Sequence, residues 1–200
     1  MLVAIEIEEK TKEEEEKIDI ISIERLRTLD PSFNEDVFIS KAKNIYLSMI
    51  TCITERDITR AYASLNQEVR NKVAKKINDS ISKNEIRMYD ELNVKEFSIK
   101  SVCLTEDEYI IKAKLVSRYL DYYLNAETRA FIRGDREERV TRNNELEFRC
   151  KRNHKDISKV AHCPNCGGNV DYNYSGLCPY CRGQFPKEDY DFILVDWVER

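Results

Sequence analysis

The 200-residue chain holds 33 basic and 37 acidic residues, a net charge of -4, with 42% hydrophobic residues. That is enough apolar material for one ordinary core with a small appendage, and the near balance of charge excludes a protein held on nucleic acid by a general basic field. No apolar run approaches the ~18 residues needed to cross a bilayer, and Met1 to Ile7 is too short and too acidic in its flank for a secretory leader, so a soluble cytoplasmic chain is expected.

Charge is unevenly placed. Residues 1 to 40 carry 12 acidic and 5 basic groups, whereas residues 41 to 200 carry 28 basic and 25 acidic ones. The opening alternates at Val3, Ile5 and Ile7 and runs into the acidic stretch Glu13 to Glu16, which reads as a solvated linker or exposed helix. Residues 1 to 29 are accordingly assigned to an acidic arm. Within it Ile20, Ile23, Leu26 and Leu29 make an apolar edge at helical spacing that stops at Asp30-Pro31, because proline drives the residue before it out of the helical region. The acid run repels anionic lipid, so this edge is expected on the domain or on a protein partner.

After the proline, Ser32 or Asn34 can cap a helix, and Ser32 with Glu35 fits a capping box. Its stripe is Phe38, Ala42, Ile45, Met49 and Cys52, ending near Thr54. A second helical stripe runs Leu65, Val69, Val73, Ile77 and Ile81. Beyond it the period changes. "EFSIKSVCL", "EYIIKAKLVSRYLDYYL", "RNNELEFRCK" and "DYDFILVDWVE" favour alternation and β-branched or aromatic residues, the mark of half-buried antiparallel strands. Leu146, Phe148 and Cys150 face one side there, with Glu145, Glu147, Arg149 and Lys151 on the other. Helices followed by long strands give an α+β fold, helices on one face of a curved sheet.

Seven cysteines, four of them in two Cys-Pro-x-Cys turns, do not form the even framework of a secreted disulfide protein and suit a reducing compartment. Cys163, Cys166, Cys178 and Cys181 put four soft thiolates within reach of one tetrahedral zinc ion, with Gly167 and Gly183 just past each turn. Four protein ligands leave no open position for the water that catalytic zinc requires, so one structural zinc is expected. Redox dithiols or an iron centre are chemically open alternatives, but the segment is too poor in apolar residues to fold on a core of its own, and a metal supplies what is missing. His162, beside Cys163, reads as an exposed polar residue; Cys52, Cys103 and Cys150 read as small core residues.

In order, the Asp30-Pro31-x-Phe33 start, the Arg56-Asp57 pair between helices, the "IRGD" turn at residues 132 to 135, and the cysteine ribbon followed by "EDYDFILVDWV" resemble the Tim44-like domain family. More narrowly they resemble its bacterial branch with a zinc ribbon before the final strand. The resemblance covers roughly residues 30 to 200. It implies a nuclear transport factor 2-like cone, helices over a strongly bent antiparallel sheet, made of residues 30–152 and 188–200 with the ribbon inserted at 153–187. The chain departs from the family in having Thr128-Arg129 where relatives often have glycine, which implies a wider or different hairpin turn. It also shows no membrane-spanning or glycine-rich segment upstream.

Family resemblance and the absence of catalytic text together point to a non-catalytic binding module, docking on a membrane surface, a membrane protein or a polypeptide, at the inner face of the membrane if it is peripheral. Tyr119 and Tyr123, which share a strand face with Ile111 and Leu115 while Tyr122 and Arg118 face away, are the candidates for the binding face; tyrosine brings apolar area and a polar handle, though on a sheet it is also ordinary core filler. A pocket enzyme of the same cone would draw on Asp121, Tyr119, Arg118, Asp191 or Asp196, but the chain has two histidines and no nucleophile motif. RNA or ribosome association is the other alternative. The tract from Arg118 to Asp156 has 10 basic residues, yet its 8 acidic ones nearly cancel the field, so no specific nucleic acid is expected.

Overall fold

The computed structural model describes residues 18–154, 161–163, 166–170, 178, 180–181 and 191–200. The alternation at Val3, Ile5 and Ile7, the Glu13 to Glu16 run and Gly183 lie outside them. The described residues form an α+β fold: strand β1 (Asp19–Ile21), helices α1 (Ile23–Leu29), α2 (Glu35–Glu55) and α3 (Gln67–Ser82), then long strands β2 (Glu85–Leu104), β3 (Glu108–Asn125) and β4 (Phe131–Lys151), a two-residue pair β5 (Ala161–His162) and β6 (Asn169–Val170), and β7 (Ile193–Glu199). One five-stranded sheet has the order β1-β2-β3-β4-β7, antiparallel throughout, and β5-β6 form a separate antiparallel pair.

Each helix starts on a side chain that accepts from an orphan amide of the first turn. The Ser22 hydroxyl accepts from the Arg25 amide, Asn34 from Val37 and Asn66 from Val69. The cap of α2 is therefore Asn34, not the Ser32 of the expected capping box. Ser32 is instead held by Asp30, whose carboxylate accepts from its hydroxyl at 2.6 Å and its amide at 3.0 Å. At its other end α2 closes on Arg56, left-handed at φ +57°, whose amide donates to Cys52, and Asp57 then accepts from the amide and hydroxyl of Thr59. The Arg56-Asp57 pair is thus the helix stop.

The α2 stripe is buried as spaced, Phe38, Ala42, Ile45, Met49 and Cys52 all lying in the core, where Phe38 packs edge-on to Phe148 and Phe192. The second stripe is only partly so. Leu65 precedes α3, following the short turn Tyr62–Ser64, and bridges to Leu194 in β7. Ile81 is exposed. A spacing of four overshoots the helical turn by about 40° each time, so by Ile81 the stripe has rotated off the core. The arm's apolar edge divides similarly: Leu26 is fully buried and Ile23 and Leu29 pack around it, whereas Ile20 belongs to β1 and points outward.

The strands are longer than expected. β2 begins at Glu85, eleven residues ahead of "EFSIKSVCL", and β4 begins at Phe131, eleven ahead of "RNNELEFRCK". The "IRGD" stretch is not a turn. It lies in β4, where Gly134 pairs with Tyr122 and residues between it and Arg139 bulge out, the Asp135 carboxylate accepting from the Glu137 and Glu138 amides. That bulge interrupts an edge which β7 covers only from Asn144 to Arg149, a common way of blunting an open strand. The β3–β4 turn itself is wide. Asn125 accepts from the amides of Glu127 and Thr128, and Arg129 takes φ +60°.

Candidate functional site

Two regions carry chemistry, the cysteine cluster between β4 and β7 and the helix-covered side of the sheet. In the first, the Sγ atoms of Cys163, Cys166, Cys178 and Cys181 all lie within 4.8 Å of one another, with Cys163–Cys181 and Cys166–Cys178 at 3.6 Å. Those two contacts are far too long for disulfides and close to the ~3.8 Å edge of a tetrahedron of sulfurs about a zinc ion. The backbone is arranged around the sulfurs. The Gly167 amide donates to the Cys163 carbonyl and the Cys163 amide to the Gly168 carbonyl, at 2.7 and 2.8 Å, while the Tyr180 and Cys181 amides point at Cys178 Sγ from 3.4 and 3.5 Å. Gly167 takes φ +71°, and a side chain on Gly168 would meet the Tyr180 ring at 2.6 Å. The Gly168 backbone pulls the Cys166 thiol down, but burial and the sulfurs of Cys163, Cys178 and Cys181 push it up to about 12. Four sulfurs gathered in this way form a donor set that could bind a metal ion, consistent with zinc. The side chain of His162 lies outside the described set.

On the helix-covered side, Tyr119 is fully buried, its hydroxyl donating to Glu199 at 2.9 Å and its ring edge-on to Tyr89 at 5.1 Å between centroids. As a surface contact it is therefore closed off, since it packs within the core that the helices cover. Tyr123 is half-buried, with the Arg133 guanidinium 3.8 Å over its ring. Arg87, Tyr123 and Arg133 form one cross-strand row. Arg133 is held in turn by Glu85, and Arg87 donates to both oxygens of Asp121 at 2.9 and 2.7 Å. Tyr122 faces away, buried, and donates to Asp90 at 3.1 Å.

The residues named for a pocket enzyme do not converge. Asp121 is tied to Arg87, Asp191 to Lys41 at 2.7 Å, Asp196 to Lys72 at 2.6 Å, and Arg118 is exposed. Arginines of the basic tract are paired as well: Arg139 with Glu91, Arg149 with Glu147 and Glu108, Arg142 with Glu199. Such pairs neutralise part of the tract's positive charge. Of the scattered cysteines, Cys52 and Cys150 sit in the core as expected, and burial pushes the Cys150 thiol far up. Cys103 is buried on the opposite face of the sheet.

Sequence reading missed a buried polar string under α2. Tyr46 and Ser117 share a hydrogen bond at 2.8 Å, Asn144 donates to Ser117 at 3.2 Å, and Trp197 Nε1 donates to Asn144 Oδ1 at 3.0 Å. Burial pushes the Tyr46 hydroxyl up to about 12, so it remains a neutral donor or acceptor. The available signal was Ser117 and Asn144 standing at inward positions of otherwise apolar strands. Among the described residues no helix is long and apolar enough to cross a membrane. A family model described as the Tim44-like domain matches residues 21–154, about two thirds of the chain. Comparison with curated proteins finds no match.

Proposed function

We propose that this chain, which belongs to the Tim44-like domain family, is a non-catalytic docking module: a nuclear transport factor 2-like cone that binds a polypeptide or membrane protein, on the cytoplasmic side and in places at the inner membrane surface. The observation that carries the reading is the state of its polar groups. Each candidate carboxylate is tied to a cation on a neighbouring element, whereas Arg87, Tyr123 and Arg133 form a cross-strand shelf, one tyrosine ring beneath two guanidiniums. Tyrosine and arginine held in this way supply contact area at low entropic cost. We take the insertion 153–187 as a unit apart from the cone, and 19–29 as part of the cone through Leu26.

The test uses cross-linking capture from native lysate beside co-sedimentation with anionic liposomes. On whichever assay gives binding, Tyr123→Ala should weaken it about tenfold, the effect of one aromatic anchor, while replacing the insertion with a short linker leaves it largely intact. Loss of binding on that replacement alone would move the recognition surface to the ribbon and end this reading.

Within the same reading, Cys163, Cys166, Cys178 and Cys181 hold one structural zinc. Elemental analysis of protein purified without added metal should find about one equivalent per chain. Cys178→Ser should lose it and unfold the ribbon locally while the cone keeps a cooperative melt. A metal-free, disulfide-bonded native form would overturn the assignment, and loss of all cooperative folding in Cys178→Ser would make the ribbon part of the main core.

A further inference from the structure

Along the sequence the charges of the strands nearly cancel, but the sheet sorts them. Ile111, Ala113, Leu115 and Tyr119 of β3 lie in the core under the helices, so the alternate positions Lys112, Lys114 and Arg118 face away from them, and all three are exposed. Lys100 joins from β2. It stands in the register shift between Ile99 and Ser101 and lines one shallow depression with Ser101, Lys112 and Lys114. The acids of this face lie across the sheet on β4 and β7, and each is already matched: Glu145 by Arg200 at 3.1 Å, Glu147 by Arg149 at 2.9 Å, Asp196 by Lys72 at 2.6 Å. Lys112 shares Glu147 at 3.6 Å. Among the described residues Lys100, Lys114 and Arg118 have no ion pair, and the adjoining stretch of β2 from Asn93 to Ser101 holds one acid, Glu96, against Lys95 and Lys100. A chain of net charge -4 thus carries a cationic strip on the outer face of β2 and β3.

We propose that this strip is a second contact surface, which receives an acidic, extended segment of a polypeptide partner laid along β3. Charge complementarity sets the sign of the partner, and spacing and composition choose among polyanions. Lys112 and Lys114 are two residues apart, about 6.6 Å at the rise of a strand, which is the interval at which an extended chain repeats one face. Carboxylates at alternate positions therefore meet successive cations. The side chains between are short and polar, Ser98 and Ser101 on β2 and Asn143 on β4, and they let a backbone approach and hydrogen-bond. RNA binding draws on rings that stack the bases, and a bilayer on apolar side chains that enter it. These rows offer neither: Val116 is half-buried, and the other outward residues paired with it and beside it are Glu96, Asn93 and Thr141. Each exposed charge pair changes affinity by less than about fivefold, so the strip orients and selects a partner and leaves anchoring to other contacts. It lies on the opposite face from Tyr123, so it does not depend on the shelf.

The test titrates the full chain with a peptide of alternating glutamate and serine at low salt and follows backbone amide shifts. Shifts should concentrate at Lys100, Lys112, Lys114 and Arg118, and affinity should fall at least about fivefold on reaching ~150 mM salt, where charges are screened beyond about 8 Å. The triple reversal Lys100→Glu, Lys114→Glu and Arg118→Glu should weaken binding more than about tenfold. Lys75→Glu, Lys83→Glu and Arg129→Glu reverse three exposed cations elsewhere, change the net charge equally, and should leave affinity within about twofold. Equal losses in the two sets mean attraction to overall charge and overturn the strip, as does absence of binding at low salt. If the triple reversal does not fold, the milder pair Lys114→Gln and Arg118→Gln decides: affinity should fall about fivefold, and an unchanged value overturns the proposal. Tighter binding through the same residues of phosphatidylglycerol vesicles or of polyuridylate assigns the strip to lipid or RNA and overturns the polypeptide. Tyr123→Ala should leave peptide binding unchanged, so failure of the shelf and failure of the strip are separate results.

Discussion

Replacing Asn144 with alanine should cost the fold about 3 kcal/mol and lower its melting temperature by about 6–12 °C, measured by thermal or urea denaturation. Asn144 is fully buried at the point where β4 passes under α2. Its carbonyl takes the Trp197 indole proton, and its amide donates to Ser117 and weakly to the Leu115 carbonyl. Alanine supplies neither group and opens a void beside them. The indole N–H, itself in a side chain only slightly exposed, would be orphaned at ~1–3 kcal/mol, and the missing amide leaves a small cavity whose lining loses contacts. Ser117 retains Tyr46, which limits the loss on that side. The effect should be larger than that of Arg142→Ala, whose pairing with Glu199 is long and partly exposed. A cost below about 1 kcal/mol would mean that water enters and replaces the amide.

That string was hidden because composition and period report apolar faces, and either asparagine of "RNNELEFRCK" reads the same whether it faces water or Trp197. The helices were more legible. The α2 stripe gave the right face, and its end near Thr54 lies within a residue of the observed Glu55. The early half of β2 was not legible, for a physical reason. Register shifts between Asp90 and Asn93 and between Val94 and Glu96 change which parity faces in, and Ile86 and Tyr89 are buried on opposite faces. A strand whose parity changes inside a dozen residues shows no period of two. The start of β4 failed differently: "FIRGDREERVT" is charged because both its faces are exposed there. The four cysteines needed no fold to be seen, since two matched turns of soft ligands carry their own geometry. Tyr119 shows the limit of parity. Position on a strand gives the face, and only the packed helices decide that this face is closed.

Gly134→Ala should be the most damaging single methyl in the described structure, at about 3 kcal/mol or more. Gly134 takes φ +101°, where an L side chain is strained, which alone costs ~1–3 kcal/mol. A Cβ built there meets the Asp121 carbonyl oxygen at 2.4 Å and Tyr122 Cα at 2.5 Å, and both are backbone atoms of the paired strand, so no side-chain rotation relieves the contact. The β3–β4 ladder must part at Tyr122 and Gly134, beside the bulge that carries Arg136 over the Tyr122 ring at 5.2 Å. Parting there also disturbs Tyr123 and Arg133, the next pair in register, so binding through the shelf should fall together with stability. Gly167 supplies the control. It too has positive φ, +71°, but nothing lies within 4 Å of its would-be side chain, so Gly167→Ala should incur only the conformational penalty, about 1 kcal/mol, confined to the ribbon. Equal losses at the two positions would mean that φ alone sets the cost and that the close approach of β3 to β4 at Gly134 relaxes freely. Hydrogen exchange separates the cases: in Gly134→Ala the amides of Tyr122 and Tyr123 should lose protection ahead of those in β3 near Ile111.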